Sequence, residues 1–440
     1  MRRKLLVTVP VIALAAVAAV SACSSSSSSS SPSSAGGASA ASSAGSSALT
    51  SATLKMTALQ SDQPGLTQVI SDWEKVHPGV TIQASYLPSG DTYNSQVTTQ
   101  FSGGNGPDFV WLIGGGASPI GVQTFAKNGY LADLTSQSWV STMYAPIKPL
   151  FQLDGKVYTR DLGTSPLAIM NYNKAYFTQN NLQIPQTFPQ LLSLCKTISA
   201  KGETPVSWGA ATEAVNANNL AVIAGNTVFS TNPSWLTQAL AGKATFTGTP
   251  GWREAVQEIA DMKSANCFSQ GVSGVQLTEM ISDFANGNAA MMFTYGGLDG
   301  NVLALKPNLS IGMFPLPAPT AANTRVTLQA AGGLGINAKT AHLADAEAFL
   351  DFISTPAELA KFAKLSNLIS PSQAVSGNLT GIYTDIQPYF TDKKVISDPT
   401  ALWPNTSFNT NTGASVQGLF TGQNSVSTVL QQMDHYFTAP

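Results

Sequence analysis

Three cysteines (Cys23, Cys195, Cys267), three histidines (His77, His342, His435) and a thin scatter of carboxylates are the side chains best suited to chemistry in this 440-residue chain. Their spacing excludes most catalytic and metal-binding schemes. No H-E-x-x-H occurs, and no Cys/His spacing suits zinc. There is no G-x-S-x-G nucleophile elbow, no Walker A loop and no dinucleotide-binding fingerprint. Gly332-Gly333-Leu334-Gly335 is glycine-rich but lacks the lysine or helix context of a phosphate loop. A glycosidase needs only two carboxylates, so counting does not exclude hydrolysis. The absences favour binding over catalysis, with no metal and no cofactor expected.

Cys23 has a different chemistry. It follows Arg2, Arg3 and Lys4, an apolar run from Leu5 to Val20, and the small residues Ser21 and Ala22. That is the order of a secretory signal, and the apolar run falls short of the roughly 20 residues that span a bilayer. Val20-Ser21-Ala22-Cys23 resembles the bacterial lipobox, whose cysteine becomes the lipidated first residue of the mature chain. Several acyl chains, each contributing about 0.8 kcal/mol per buried CH₂, would anchor it firmly. Residues 1–22 read as the signal peptide, and residues 23–50 as a lipidated cysteine with a Ser/Ala/Gly-rich tether. The tether has too little side-chain area to offset the entropy of ordering, and a coil of that length reaches roughly 30 Å. The expectation is an exported protein held on the outer face of the membrane.

About 390 residues remain, enough for two lobes rather than one core. Charged residues make up 10% of the chain and the formal net charge is −2, so nucleic acid is not an expected partner. Cys195 and Cys267 either pair in the oxidising exterior or lie as two buried thiols.

The elements that must position a site alternate. Leu54, Met56 and Ala58 mark a strand; Leu66, Val69, Ile70, Trp73 and Val76 mark a helix that His77-Pro78-Gly79 stops. A second strand (Val80 to Tyr86), a helix (Thr92 to Phe101) and a strand of nearly unbroken apolar residues (Asp108 to Ile113) complete a β-α-β-α-β run, which implies a parallel sheet. Gly114-Gly115-Gly116 follow that last strand, where open α/β sheets bind ligands, so they are either a cleft wall or a plain turn. Further on, Phe188 to Ile198 and Trp252 to Met262 read as helices. Thr355-Pro356-Ala357-Glu358 reads as a capping box.

Several stretches together resemble the sugar-binding (maltose-binding-like) extracellular solute-binding proteins of ABC importers. They are Trp73-Glu74-Lys75 with His77-Pro78-Gly79, Gly106-Pro107-Asp108, Asp154-Gly155-Lys156, Asn171-Tyr172-Asn173-Lys174, Phe284 to Met291, and Asp345 to Ser354 with Ile369-Ser370-Pro371. The resemblance covers essentially the whole chain after the tether. It implies an α/β, two-lobed periplasmic-binding-protein-like fold (type II) with the ligand between lobes joined by hinge crossovers. Transferred onto this chain, lobe 1 is 51–162 plus 293–336 and lobe 2 is 163–292 plus 337–440. It also implies ABC permease partners, a monomeric state and no enzymatic activity.

Sugar sites pair an aromatic face with polar groups that meet hydroxyls. The candidates are Asp62, Gly115, Gly116, Asp161, Trp208, Glu213, Tyr295, Gly296, Gly297, Asp299, Gly333 and Trp403. For Trp208, Tyr295 and Trp403 the alternative is core packing, and for Asp62 it is capping the next helix. Trp73 and Trp111 read as core. Many relatives carry a tryptophan where this chain has Gly297-Leu298, and a proline near Asp161. The reading is a lipoprotein that captures a small carbohydrate, an oligosaccharide, for an importer. The alternatives are a polyol, glycerol phosphate or peptide ligand, with Arg160 and Arg325 the cations available to a phosphate, or a secreted polysaccharide hydrolase.

Overall fold

A computed structural model describes residues 51–294, 298–405 and 407–438. Its strands are β1 (Ala52–Leu59), β2 (Val80–Leu87), β3 (Phe109–Leu112), β4 (Gln152–Leu153), β5 (Lys156–Val157), β6 (Thr159–Asp161), β7 (Thr164–Pro166), β8 (Ile169–Asn173), β9 (Thr204–Ser207), β10 (Ala289–Thr294), β11 (Ile311–Phe314), β12 (Val326–Ala330), β13 (Gly333–Ile336) and β14 (Val395–Ser397). They form a five-stranded sheet in the order β2-β1-β3-β13-β6, a four-stranded sheet in the order β11-β8-β10-β9, and a three-stranded sheet in the order β14-β12-β7. The first two sheets are the centres of the two lobes, and the third is the hinge.

Lobe 1 begins as the alternation predicts. β1 pairs in parallel with β2 and with β3, and the helix Gln63–Val76 lays Leu66, Val69, Ile70 and Trp73 on the sheet. Trp73 is locked there: its indole N–H donates to Val80 O at 3.1 Å, and its ring meets Phe349 edge-on at 5.6 Å. Phe349 lies on the helix Leu343–Ile353, which with the helix Pro356–Leu365 shares one apolar core with β1 and β3. Thr355 accepts from the Glu358 N–H and so caps the second of these helices.

The packing corrects the expected lobe limits. β10 sits between β8 and β9, and β11 pairs with β8, so residues 293–314 belong to lobe 2. Lobe 1 resumes at β13, and residues 343–390 pack into its core. Lobe 2 takes up the chain again near Trp403. The chain therefore crosses three times, at β7, β12 and β14, and the crossings bond to one another. Thr164 Oγ1 donates to Gln329 O at 2.6 Å and Gln329 Nε2 to Ser165 Oγ at 3.0 Å, tying two crossings together. Alternation of strand and helix says nothing about which sheet a strand joins, and crossings of three to five residues carry no periodicity of their own.

Strand direction places the cleft. Gly333, just past the β12 crossing, pairs with Leu112 and with Asp161, so β3 and β6 end at the hinge, and β1 runs parallel to β3. In lobe 2, Thr294 at the end of β10 pairs with Ile169, just past the β7 crossing. Both sheets thus turn the carboxyl ends of their parallel strands toward the hinge, the position where α/β sheets bind ligands.

Cys195, on the helix Phe188–Ser199, and Cys267, just past the helix Pro250–Ser264, form a disulfide with a sequence separation of 72. A loop of that length is worth up to about 4 kcal/mol on the chain-entropy scale. Replacing both with serine is expected to lower urea-unfolding stability by about 2–4 kcal/mol, and reductant should then have no further effect on the variant.

Candidate functional site

Lobe 1 presents its polar wall at the ends of β1 and β3. Asp62 is 6% exposed and Trp111 is 7% exposed. The Trp111 indole and the Ser61 side chain lie close enough to hold the Asp62 carboxyl down, but burial dominates and pushes its pKa up to about 7. Neither the Trp111 Nε1–H nor Asp62 Oδ2 completes a hydrogen bond of good geometry. Tyr93 fixes the strand beneath: its hydroxyl donates to Trp111 O at 2.7 Å, and its ring meets the indole edge-on at 5.8 Å. Gly332 closes the other side of the ring. It has φ +101, and a Cβ there would fall 2.2 Å from the indole, so only glycine lets the backbone lie so close.

The glycine turn after β3 does not face open solvent. The Gly116 N–H donates to Ala401 O at 2.9 Å and the Ala117 N–H at 3.2 Å. Gly115 has φ +89, and a Cβ there would fall 2.0 Å from the same oxygen. The turn therefore rests on the segment that leaves the third crossing, coupling the end of β3 to the hinge.

In lobe 2, two predicted contacts are core residues. Trp208 is 1% exposed; its indole N–H donates to Asn216 Oδ1 at 2.8 Å and its ring packs edge-on against Phe268, Phe293 and Phe420. Trp403 is 4% exposed and packs among Phe246, Trp252, Phe408 and Phe437. Neither offers a ring face to a ligand, because the aromatic clusters of lobe 2 take up both. Asp161 is likewise fully buried, ion-paired with Arg160 inside lobe 1. Glu213 starts the helix Glu213–Ala224, where its carbonyl lies so near Gly413 that a Cβ there would meet it at 2.0 Å. Gly333 sits in the sheet between Leu112 and Asp161. Tyr295, Gly296 and Gly297 lie outside the described residues, as does Cys23. Arg160 pairs with Asp161 within lobe 1 through one terminal nitrogen, and the Arg325 guanidinium donates to Ala322 O and Thr324 O.

Asp299 does reach the interface of the lobes. It starts the helix Asp299–Leu305 and, with Gly300 and Leu303, walls a cavity of about 620 Å³ whose other side is Lys364, Asn367 and Tyr383 of lobe 1. The sequence reading did not single out those three partners. It also missed Asn171, whose amide is fully buried with neither its O nor its N bonded. Asn171 shares a sheet face with Ile169, which packs into the lobe 1 core, so that face looks toward lobe 1. A lone amide inside Ile169-Met170-Asn171-Tyr172 was the available signal. Among the described residues no cluster of three or more His, Cys, Asp or Glu is placed to hold a metal ion.

The profile of the bacterial extracellular solute-binding proteins matches residues 57–360, more than half of the chain. The chain belongs to that family. The Multiple sugar-binding protein of Streptococcus mutans is 24% identical over 341 residues, 75% of this chain and 78% of that protein. The Melibiose/raffinose/stachyose-binding protein MelE of Bacillus subtilis is 21% identical, over 76% of this chain and 76% of its own. Among solved structures, the apo form of RafE from Streptococcus pneumoniae superposes with a TM-score of 0.73 at 19% identity, covering 88% of this chain and 97% of its own. This solute-binding protein thus has the expected type II two-lobed α/β fold.

Two outcomes follow from the wall of lobe 1. Gly115→Ala should destabilise by about 2 kcal/mol or more, since it adds backbone strain and a clash with Ala401 O. Gly116→Ala meets only the flexible Gln123 side chain and should cost under about 1 kcal/mol in the same urea titration. Asp62 gives a pH signature. Its folded pKa is raised, so its contribution is full below the unfolded value near 3.8 and is lost as pH rises toward 7. Asp62→Asn is therefore expected to leave stability at pH 4 nearly unchanged. At pH 8 the variant should gain up to about 4 kcal/mol, read from paired unfolding curves.

Proposed function

We propose that this solute-binding protein captures a small oligosaccharide between its lobes and delivers it to the membrane subunits of an ABC importer. The observation that carries the reading is the Asp62–Trp111 wall at the ends of β1 and β3, a buried carboxyl and an indole N–H with unmet hydrogen bonds beside the hinge. Sugar hydroxyls both donate and accept, so a single ligand can satisfy both groups. Asn171, Asp299, Asn367 and Tyr383 extend the same polar chemistry along the interface of the lobes. The similar proteins, a multiple sugar-binding protein and a melibiose/raffinose/stachyose-binding protein, support a saccharide over a peptide or a phosphate. Neither Arg160 nor Arg325 lines the interlobe cavity of Asp299, which supports the same choice.

In this reading the protein has no catalytic activity and acts as a monomer. The ligand is bound by hinge closure, because it touches both lobes only when they close, and that differential affinity drives the equilibrium. Lipidation of Cys23 holds the protein to the outer face of the membrane, and the serine-rich tether gives the lobes reach.

The test is a thermal-shift series on the full chain with raffinose, stachyose, maltotriose, glycerol phosphate and a tripeptide. A ligand at a hundredfold excess over Kd stabilises the folded state by about 2.7 kcal/mol. The expected result is a shift by oligosaccharide alone, with the sugar recovered intact and its affinity lowered roughly ten- to a hundredfold by Asp62→Asn. Recovery of cleaved sugar would overturn the binding-protein reading, and a shift by glycerol phosphate or peptide alone would overturn the saccharide.

A further inference from the structure

Lobe 1 contains a second cavity, of about 930 Å³, whose wall residues all come from segments 138–160 and 351–375. It lies beyond β6, the edge strand of the lobe 1 sheet, and has no residue in common with the interlobe wall. Met143 and Leu359 are among its apolar lining. Three hydrogen-bond donors belong to the same wall. Arg160 is 1% exposed: one terminal nitrogen donates to Asp161, its guanidinium sits 5.2 Å above the centre of the Trp139 ring, and its Nε has no partner. Trp139 is 4% exposed and its indole N–H is unmet. The Ser354 hydroxyl, shielded from solvent, is unmet as well.

Buried donors are almost always paired, and each one left unmet costs about 1–3 kcal/mol. A guanidinium stacked on an indole, with a hydroxyl elsewhere in the same wall, calls for an acceptor-rich group, and a carboxylate suits a guanidinium best. The apolar remainder of the wall asks for a hydrocarbon body. We propose that this cavity is a second ligand site, separate from the interlobe cleft, for a small and largely apolar carboxylate. Two features of the surroundings bear on it. Burial pushes the Asp161 carboxyl toward its neutral form and also works against the Arg160 charge, which a bound carboxylate would favour. Asp351 is the one carboxylate in the wall; it stands three residues before Ser354 on the helix Leu343–Ile353 and is exposed to solvent, which screens its charge.

The test is calorimetric titration of the full chain with benzoate and octanoate, against benzamide and octanol as uncharged counterparts. The expected result is saturable 1:1 binding of at least one carboxylate and weaker binding of its uncharged counterpart. Trp139→Phe and Ser354→Ala, which keep the bulk of each side chain, should each weaken the carboxylate roughly tenfold. Both variants should retain the parent's melting temperature within a few degrees and its raffinose affinity, which separates this site from the cleft. No saturable carboxylate binding, equal affinity for the uncharged counterparts, or equal affinity in both variants would each overturn the second site. None of these outcomes would touch the oligosaccharide reading.

Discussion

Among the described residues, three short stretches of backbone join the two lobes, and they are hydrogen-bonded to one another as β7, β12 and β14. This constraint shapes everything else. Crossings laid side by side share one bending line, so the lobes can swing about it but cannot slide or turn freely. Because each sheet is entered from a crossing, the ends of its parallel strands come to lie along that line. A ligand there touches both lobes at once. The Gly114–Gly116 turn adds a direct link, since the N–H of Gly116 and that of the following Ala117 bond the carbonyl of Ala401 next to the third crossing. Whatever moves the end of β3 also loads the hinge.

Much of this was legible in the residues, and where it was not there is a physical reason. The period-2 and period-3.6 patterns from Leu54 to Ile113 specified three strands and two helices that recur almost residue for residue, because each element buries one continuous face. The assignment of residues 293–314 to lobe 1 failed at a different level. Ile311–Phe314 reads as a buried strand wherever it is placed, and only its pairing with Met170–Asn173 assigns it to lobe 2. Pairing between segments more than a hundred residues apart leaves no local trace. The cysteines are similar: 72 positions separate Cys195 from Cys267, and only the packing of two helices brings them together.

The aromatic candidates failed for a reason specific to this composition. With charged residues at 10% of the chain, stability rests heavily on apolar packing, and aromatic pairs add about 0.5–1.5 kcal/mol each beyond their buried area. Trp208 and Trp403 serve that purpose, each ringed by phenylalanines. A tryptophan near a strand end or in an irregular stretch looks the same in sequence whether it stacks on a ligand or on Phe293. Its neighbours decide, and they come from distant segments. Trp111 shows the converse. It sits within an apolar strand and is buried, yet its indole edge borders Asp62 at the cleft.

The unmet polar groups give a physical account of how the proposed ligand would act on the hinge. Asp62 and Trp111 in lobe 1 and Asn171 in the lobe 2 sheet are buried, and each has hydrogen-bonding capacity unused by the protein. Shutting such groups away from water without partners is costly, at about 1–3 kcal/mol for each neutral group and more for an ionised carboxylate. In the proposed mechanism an empty protein would lower that cost by opening about the hinge and letting water reach them. A hydroxylated ligand lowers it in the closed form, by supplying donors and acceptors in place of water. Its affinity for the closed arrangement then exceeds its affinity for the open one by the very interactions that the empty closed form lacks, and this difference is what shifts the population. An apolar wall in the same place would close as readily without ligand as with it. The closed form would then carry no information about whether the cargo was aboard.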